Sequence, residues 1–242
     1  FDENSHAGIC ELKSMKERWH KVDNGRIIIE ASVHAEYTSD ERLWRCVADY
    51  AMQNELGIQV HLSETKSEHD ECIRKYGKTP TKLFLNAGIW NTRAVAAHGV
   101  HVTDEDMDIL ASKNVTVVHN PVSNGKLGSG ICRVLELMQK GINVALGTDG
   151  VSSNNSHDMF EEMKAALLLQ RASRMDPTAL SKWEVLKMAT INGAKAQGRE
   201  NECGVIEEGM DADIVIFDEN TIADKATFEE PTLVPEGIDY VL

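Results

Sequence analysis

The sequence predicts an α/β fold in which parallel strands alternate with helices. Short apolar, β-rich runs alternate with segments of helical period, the connections between them are short, and each apolar run ends in polar residues. The expected strands are 26–32, 58–62, 94–97, 115–118 and 142–146. The main expected helices are 14–20, 40–57, 67–76, 103–114, 133–140, 158–174 and 182–193. In sequential β/α units the carboxyl ends of the strands share one rim, so we expect the polar residues there to converge.

Two helix boundaries carry clear local signals. In the segment 40–57, Leu43 and Val47 share a face with Tyr50 or Ala51, and Gly57 ends the helical period. The run T-D-E-D that begins at Thr103 resembles a capping box. Its acidic residues also favour the positive end of the helix dipole. Both segments are therefore expected to be helices.

Composition and charge narrow the function classes. The chain has 242 residues, 42% of them hydrophobic and 26% charged, which is an ordinary globular composition. A formal net charge of −14 argues against a nucleic-acid partner, because binding a phosphate backbone draws on clustered Lys and Arg side chains. No apolar stretch approaches the roughly 20 residues that span a bilayer, so no membrane partner is expected. The five cysteines, an odd number without C-x-x-C spacing, favour a reducing cytoplasm.

His61 and Glu64 stand at the end of the expected strand 58–62, three residues apart. A neutral imidazole is a good ligand for zinc or ferrous iron, and a carboxylate at this spacing can face the same cavity as a proton carrier. An exposed His beside a helix-capping Glu would give the same pattern. The pair alone leaves both interpretations open.

His98 and Asp149 end two later apolar runs. A single His in this position is more often structural than catalytic. Asp149 can be a metal ligand that also takes a proton from bound water, or simply a turn residue before Gly150. The polar segment 151–155 that follows can bind a substrate or cap the next helix.

The segment 119–130 is long, polar and contains several glycines between an expected strand and an expected helix. A loop of this length inside a compact domain is often functional. It is not a phosphate-binding loop, because it lacks the G-x-x-x-x-G-K-[ST] arrangement. The strand-end residues His61, Glu64 and Asp149 together predict a mononuclear metal hydrolase, because such an enzyme needs metal ligands and a proton carrier.

Several motifs together resemble those of the amidohydrolase superfamily. They are H-L-S-E from His61, H-G from His98, H-N-P-V-S-N from His119 and G-T-D-G-V-S-S-N-N from Gly147. Within the superfamily, the chain is most similar to 5-methylthioadenosine/S-adenosylhomocysteine deaminases and their triazine chlorohydrolase relatives. The resemblance covers roughly residues 25 to 218, and the part beginning at Gly147 is the most specific.

The resemblance implies a role for each matching residue. His61 and Asp149 would be metal ligands, and Asp149 would also act in catalysis. Glu64 would carry a proton from the nucleophilic water to a ring nitrogen, while His98 would hydrogen-bond the hydroxide or the substituents of the reacting carbon. The residues expected near the substrate, in the order in which they occur, are His34, Asn124 and Ser153.

The implied fold is a (β/α)8 TIM-type barrel, of which residues 1–200 would supply strands 4–8, with a small C-terminal β segment at 201–242 of a composite domain. The implied cofactor is one divalent metal, zinc or iron. The family's His-x-His pair, which supplies two further ligands, is absent from this sequence, so we expect the N-terminal part of the barrel to be missing.

The implied function is metal-dependent hydrolytic deamination of an amino-purine nucleoside, with a metal-bound hydroxide attacking the ring carbon and releasing ammonia. The substrate would be 5-methylthioadenosine, S-adenosylhomocysteine or adenosine. Three alternatives stay open: a guanine- or cytosine-type deaminase, a chlorohydrolase or amide hydrolase, and an inactive metal-free barrel fragment. Association into a homo-oligomer is also open, because an incomplete barrel exposes edge strands.

Overall fold

The computed structural model describes residues 2, 3 and 5–216, and the chain divides into two compact units, residues 1–117 and 118–242. Helices and strands alternate within each, as the sequence predicts. No helix among the described residues combines the length and apolar character needed to cross a bilayer.

The first unit is built around parallel strands. Its strands are β1 (Ala31–Ser32), β2 (Ile58–Leu62), β3 (Ala94–His98) and β4 (Thr116–His119), the last of which continues into the second unit. Its helices are α1 (Ala7–Trp19), α2 (Glu41–Gln53), α3 (Lys66–Tyr76), α4 (Pro80–Ala87) and α5 (Asp104–Ser112), with 3-10 turns at Glu36–Thr38 and Ile89–Asn91. Within this unit β2 lies between β1 and β3, and β4 is the next neighbour of β3.

The register of the parallel ladder is set by backbone pairing. Ala31 lies opposite Ile58, and Leu62 lies opposite His98. The strand predicted over 26–32 is present only as β1. Ala31 pairs with the first residue of β2, Ile58, so the residues before Ala31 have no partner strand in β2. The other three predicted strands of this unit agree with the structure to within one residue.

Local capping explains where three helices begin. Asp40 accepts hydrogen bonds from the amides of Arg42 and Leu43, at 3.0 and 3.1 Å, at the start of α2. Thr65 and Glu68 form a capping box on α3. Thr103 heads α5 with the capping box that its sequence predicts. The polar side chains before each apolar face thus fix the first turn of each helix.

The core of the first unit includes a row of edge-to-face aromatic rings. The rings of Trp44 and Phe84 lie 5.5 Å apart at 82°, and those of Phe84 and Trp90 lie 5.7 Å apart at 88°. All three side chains are buried. Such aromatic pairs contribute about 0.5–1.5 kcal/mol each beyond the area they bury. Phe84 lies on α4, a helix that the hydrophobic pattern did not predict.

The second unit continues the alternation. After the end of β4, its elements are α6 (Pro121–Lys126), α7 (Val134–Gln139), β5 (Val144–Leu146), α8 (Val151–Asn154), α9 (Met159–Arg174), α10 (Lys182–Ala189) and α11 (Ile191–Gln197). Within this unit the end of β4 is the neighbour of β5, and the Gly147 amide donates to the His119 carbonyl at 3.0 Å. Asn143 and Asn192 join α11 to β5 by side-chain hydrogen bonds to backbone carbonyls, at 3.0 and 2.8 Å.

Two sequence predictions for this unit were wrong in detail. The segment 119–130, expected to be a loop, contains α6, because Pro121 is tolerated at the first helical position and Ser123 and Asn124 are buried there. The single helix expected over 182–193 is two helices, α10 and α11, which break at Thr190 where the backbone leaves the helical region.

The predicted C-terminal β segment stays a prediction. Residues 204–216 contain turns and bends without a strand, and residues 217–242 lie outside the described part of the chain.

A buried carboxylate, Asp106, connects α4 and α5. Its side chain accepts from the Thr79 hydroxyl at 2.5 Å, and from the hydroxyl and amide of Thr103 at 2.9 and 3.0 Å. We expect Asp106→Ala to lower the free energy of unfolding by about 3 kcal/mol, because it leaves the buried Thr79 hydroxyl without an acceptor and removes the capping hydrogen bonds from Thr103. Urea unfolding measures this. Asp108→Ala, an exposed change on the same helix, should stay within about 0.5 kcal/mol, and an equal loss in both would contradict the prediction.

Candidate active site

Three histidines of the first unit stack in a row across adjacent strand ends. The rings of His34 and His61 lie 4.6 Å apart between centroids, and those of His61 and His98 lie 5.3 Å apart with a 29° tilt. His61 and His98 come from β2 and β3, while His34 follows β1. The parallel ladder extends past β1, since the His61 amide donates to the His34 carbonyl at 2.8 Å. The structure therefore brings these three predicted residues together.

The orientation of His61 suits metal binding. Its Nδ1 lies 3.1 Å from the carbonyl oxygen of His34, so Nδ1 carries the proton and donates to that carbonyl. The lone pair is then on Nε2, and a backbone carbonyl that fixes the imidazole tautomer in this way is typical of metal-binding histidines. The ring is partly exposed, which leaves Nε2 accessible to an ion.

Glu64 faces His98 and does not cap a helix. Its Oε2 lies 3.7 Å from Nε2 of His98, whose side chain is 1% exposed. The N-cap of α3 is Thr65, and the reciprocal carboxylate of the capping box is Glu68, which also accepts the Glu64 amide at 2.9 Å. The interpretation of Glu64 as a capping residue is therefore wrong, and its carboxylate faces a second titratable group.

The turns that carry these side chains are strained. Ser63 has φ 47° and His98 has φ 73°, both in the left-handed region that non-glycine residues rarely adopt. Gly99 also has positive φ, and a Cβ there would lie 2.9 Å from Cγ1 of Val117. The Ser63 carbonyl accepts the amide of His101 at 3.0 Å, which helps to hold the turn. Such outliers cluster at functional sites, where surrounding contacts over-determine them.

Asp149 lies in the second unit, at the carboxyl end of β5. It also has a left-handed backbone, with φ 60°. Its Oδ2 accepts the Ser123 hydroxyl at 2.7 Å, and its Oδ1 accepts the Gly150 amide at 2.6 Å. These two donors hold the carboxylate in a fixed position. The close approach of Asn120, whose Oδ1 would lie 2.6 Å from a Cβ on Gly147, requires glycine at that position.

A buried carboxylate that sequence reasoning missed, Glu162 on α9, holds the segments around Asp149. It accepts the Val122 amide at 3.2 Å and a short hydrogen bond from the side-chain amide of Asn154, which also donates to the Thr148 carbonyl at 2.7 Å. Burial raises the pKa of Glu162, while these two donors act to lower it. Glu162 therefore fixes the start of α6 and the segment that follows β5.

The remaining predicted substrate residues lie on short helices of the second unit. Asn124 is fully buried in α6, and Ser153 is partly buried on α8. Lys126 connects the two helices by donating to the Ser152 carbonyl at 2.9 Å and to Asn155 Oδ1 at 2.6 Å. Their roles toward a substrate remain predictions, as does the role of His34.

Each unit offers one side chain of a type that binds divalent cations. Among the described residues there is no group of three or more His, Cys, Asp or Glu side chains arranged to hold a metal ion. His61 offers an oriented imidazole, and Asp149 offers a carboxylate held by two hydrogen bonds. These are the nitrogen and oxygen ligands that zinc and iron bind in hydrolases.

A second missed carboxylate, Glu36, lies in the 3-10 turn after His34. Its side chain is 1% exposed, and neither carboxylate oxygen has a hydrogen-bond donor among the described residues. Burial and the charge of the neighbouring Glu68 raise the pKa of Glu36 from 4.5 to about 7. No sequence pattern points to Glu36, because an acidic residue in a surface-like turn is usually solvated.

We expect Glu162→Gln to destabilise the protein by about 1–3 kcal/mol. Both groups that bind this carboxylate are donors, and a glutamine amide has only one acceptor oxygen for them. Thermal or urea unfolding measures the loss. Glu161→Gln, which changes an exposed neighbour on the same helix, is the control and should stay within about 0.5 kcal/mol. If Glu162→Gln were as stable as the wild type, the Glu162 hydrogen bonds would not stabilise the fold as proposed.

We expect Glu36→Gln to remove a pH-dependent loss of stability. With a folded-state pKa of about 7 against 4.5, the folded protein keeps a proton that the unfolded chain loses, so stability falls as pH rises through that window. The variant should therefore gain about 1–3 kcal/mol over wild type at pH 8 relative to pH 5. Urea unfolding at both pH values tests this. Glu11→Gln, an exposed change on α1, should show no such difference.

Comparison with known proteins agrees with the motifs. A sequence profile of the Amidohydrolase family matches residues 2–236. The chain is 46% identical over 202 residues to the 5-methylthioadenosine/S-adenosylhomocysteine deaminase of Acetivibrio thermocellus, covering 84% of this chain and 47% of that protein. It is 44% identical over 215 residues to the 5'-deoxyadenosine deaminase of Methanothermobacter thermautotrophicus, covering 89% of this chain and 50% of that protein. The chain thus spans about half the length of these curated relatives.

Solved structures give the same result. An adenosine deaminase from Xanthomonas campestris, described with bound zinc, superposes with a TM-score of 0.80 at 33% identity, covering 84% of this chain and 46% of that chain. The profile match extends over nearly the whole sequence and the fold matches independently. The chain therefore belongs to the amidohydrolase family.

Proposed function

We propose that the protein is a metal-dependent hydrolytic deaminase of adenine nucleosides. The observation that carries this is the pairing of Glu64 with His98, beside the oriented imidazole of His61. A carboxylate and a buried imidazole next to a metal-ligand candidate are the groups needed to activate water and to protonate a leaving amine. The relatives' names, which refer to adenosine derivatives, support the substrate class.

His61 and Asp149 are the metal ligands in this proposal, and the ion is zinc, with iron as the alternative. A bound divalent metal supplies a water of lowered pKa, which is a nucleophile at neutral pH. His61 would bind through Nε2, because Nδ1 is engaged with the His34 carbonyl. Asp149 would bind through its carboxylate, which the Ser123 hydroxyl and the Gly150 amide hold in position.

Glu64 is the proton carrier. It takes a proton from the attacking water and delivers it to a ring nitrogen of the purine. The proton of the added hydroxyl group then passes to the amino nitrogen, and ammonia leaves as the C–N bond breaks and the C=O bond forms. In this proposal His98 hydrogen-bonds that hydroxyl group, and the 3.7 Å between its Nε2 and Oε2 of Glu64 supports this role. Its buried position and fixed backbone keep the imidazole in one orientation, and such preorganisation favours the transition state.

His34, Asn124 and Ser153 are the proposed substrate contacts. His34 supports this role best, since its ring stacks on His61 and its side chain is exposed. Ser153 is partly exposed on α8, and in this proposal its hydroxyl contacts the substrate. Asn124 is fully buried, so in this proposal it shapes the wall formed by α6.

The test is ammonia release from adenine nucleosides by the zinc-loaded protein. We expect turnover with 5-methylthioadenosine, S-adenosylhomocysteine or 5'-deoxyadenosine, and Glu64→Gln should reduce kcat by about 10²–10⁴-fold at unchanged zinc content, because the amide cannot carry the proton. Glu105→Gln, which removes a surface carboxylate paired with Lys82, is the matched control and should keep the wild-type rate. Ammonia release from none of the three nucleosides, or full activity in Glu64→Gln, would contradict the proposal.

A further inference from the structure

A cavity of about 590 Å³ opens beside Glu64 in the first unit. It lies between the 3-10 turn Glu36–Thr38 and helix α3, and both elements contribute to its lining. Its volume falls within the range of about 300–1,000 Å³ of small-molecule sites. Because Glu64 is part of the lining, a ligand in this cavity would extend away from the proposed proton carrier.

The inner wall of the cavity carries two neighbouring carboxyl groups with unused acceptor capacity. Glu36 is 1% exposed, lines the cavity and has no donor to either oxygen among the described residues. Glu68 uses Oε2 for the amides of Glu64 and Thr65, at 2.9 and 3.3 Å, and its Oε1 has no donor in the described part of the chain. Buried acceptors without donors are costly, so a ligand that donates hydrogen bonds and carries positive charge is stabilised there.

The rest of the lining favours an organic cation. Tyr37 presents an aromatic ring, which attracts ammonium groups and packs against the carbon chains that carry them. Lys75 also lines the cavity, and its ammonium lies over the ring of Tyr76, 4.7 Å from the centroid. Glu71 is already paired with Arg74, so it competes little for a ligand. Although the cavity has four glutamates in its lining, no three acidic side chains among the described residues are arranged to hold a metal ion. An ammonium group on a flexible stem therefore suits the cavity better than a bare ion.

We propose that this cavity binds an ammonium group carried by the 5′ substituent of the nucleoside substrate, with Glu36 and Glu68 as its acceptors. The inference rests on the proposed deaminase function, and it makes Glu36 a specificity-determining residue. It predicts a preference for nucleosides whose 5′ substituent carries an amine, such as S-adenosylhomocysteine, over those with an uncharged substituent, such as 5-methylthioadenosine. A primary ammonium donates three hydrogen bonds, enough to serve the unused oxygens of both carboxylates.

The first experiment measures binding without any nucleoside. L-Methioninamide carries an ammonium group on a thioether stem, and N-acetyl-L-methioninamide differs by having no charge. Titration followed by NMR should give at least about tenfold tighter binding of the charged probe, and Glu36→Gln should remove that difference. Asp70→Asn removes an exposed carboxylate from the same helix, α3, and should leave it intact. The proposal would be overturned if the wild type bound the two probes equally, or if Glu36→Gln still bound the charged probe more tightly by the wild-type factor.

The second experiment compares substrates. The ratio of kcat/KM for S-adenosylhomocysteine to that for 5-methylthioadenosine should fall about tenfold or more in Glu36→Gln and stay at the wild-type value in Asp70→Asn. An unchanged ratio in Glu36→Gln, with both nucleosides still deaminated, would overturn the ammonium site and leave the proposed function standing. Glu36-dependent binding of methioninamide without deamination of any nucleoside would contradict the proposed function and support the ammonium site.

Discussion

The parallel register of β1, β2 and β3 is the constraint on which the chemistry of the first unit depends. Leu62 lies opposite His98, and the His61 amide is held by the His34 carbonyl. These backbone hydrogen bonds place three imidazoles in one row, with centroids 4.6 and 5.3 Å apart. A slip of one residue would turn the side chains of a strand to its opposite face and separate the rings. The side chains are thus positioned by the ladder, and their own contacts adjust only tautomer and tilt.

Strain is concentrated where the strands pass into the functional turns. Ser63, His98 and Asp149 have φ values of 47°, 73° and 60°, each of which costs on the order of 1–3 kcal/mol for a residue with a side chain. Specific contacts offset this cost: the Ser63 hydroxyl bonds Nδ1 of His69 at 3.0 Å, and Asp149 is held through the Ser123 hydroxyl at 2.7 Å. The sharp turns aim the side chains away from the strand, a direction that an extended backbone would not give them.

The two buried glutamates show how the same residue type serves different ends. Glu162 receives donors from two segments, so its burial stabilises the loops around Asp149. Glu36 receives none among the described residues, and burial beside Glu68 raises its pKa to about 7. Burying a carboxyl without donors opposes folding. A ligand that donates hydrogen bonds to Glu36 would offset this cost, and the adjoining cavity has room for such a ligand.

The sequence by itself determined the features that depend on a few neighbouring residues. The strand 58–62 has the predicted bounds, and the capping signal at Thr103 begins a helix, because period and capping act within one or two turns of chain. Only the tertiary structure decided which side chains meet. It separated Glu64 from the capping of α3, and it paired Ser123 with Asp149 across 26 residues. No local pattern encodes such a contact, because it exists only once β5 and α6 have packed together.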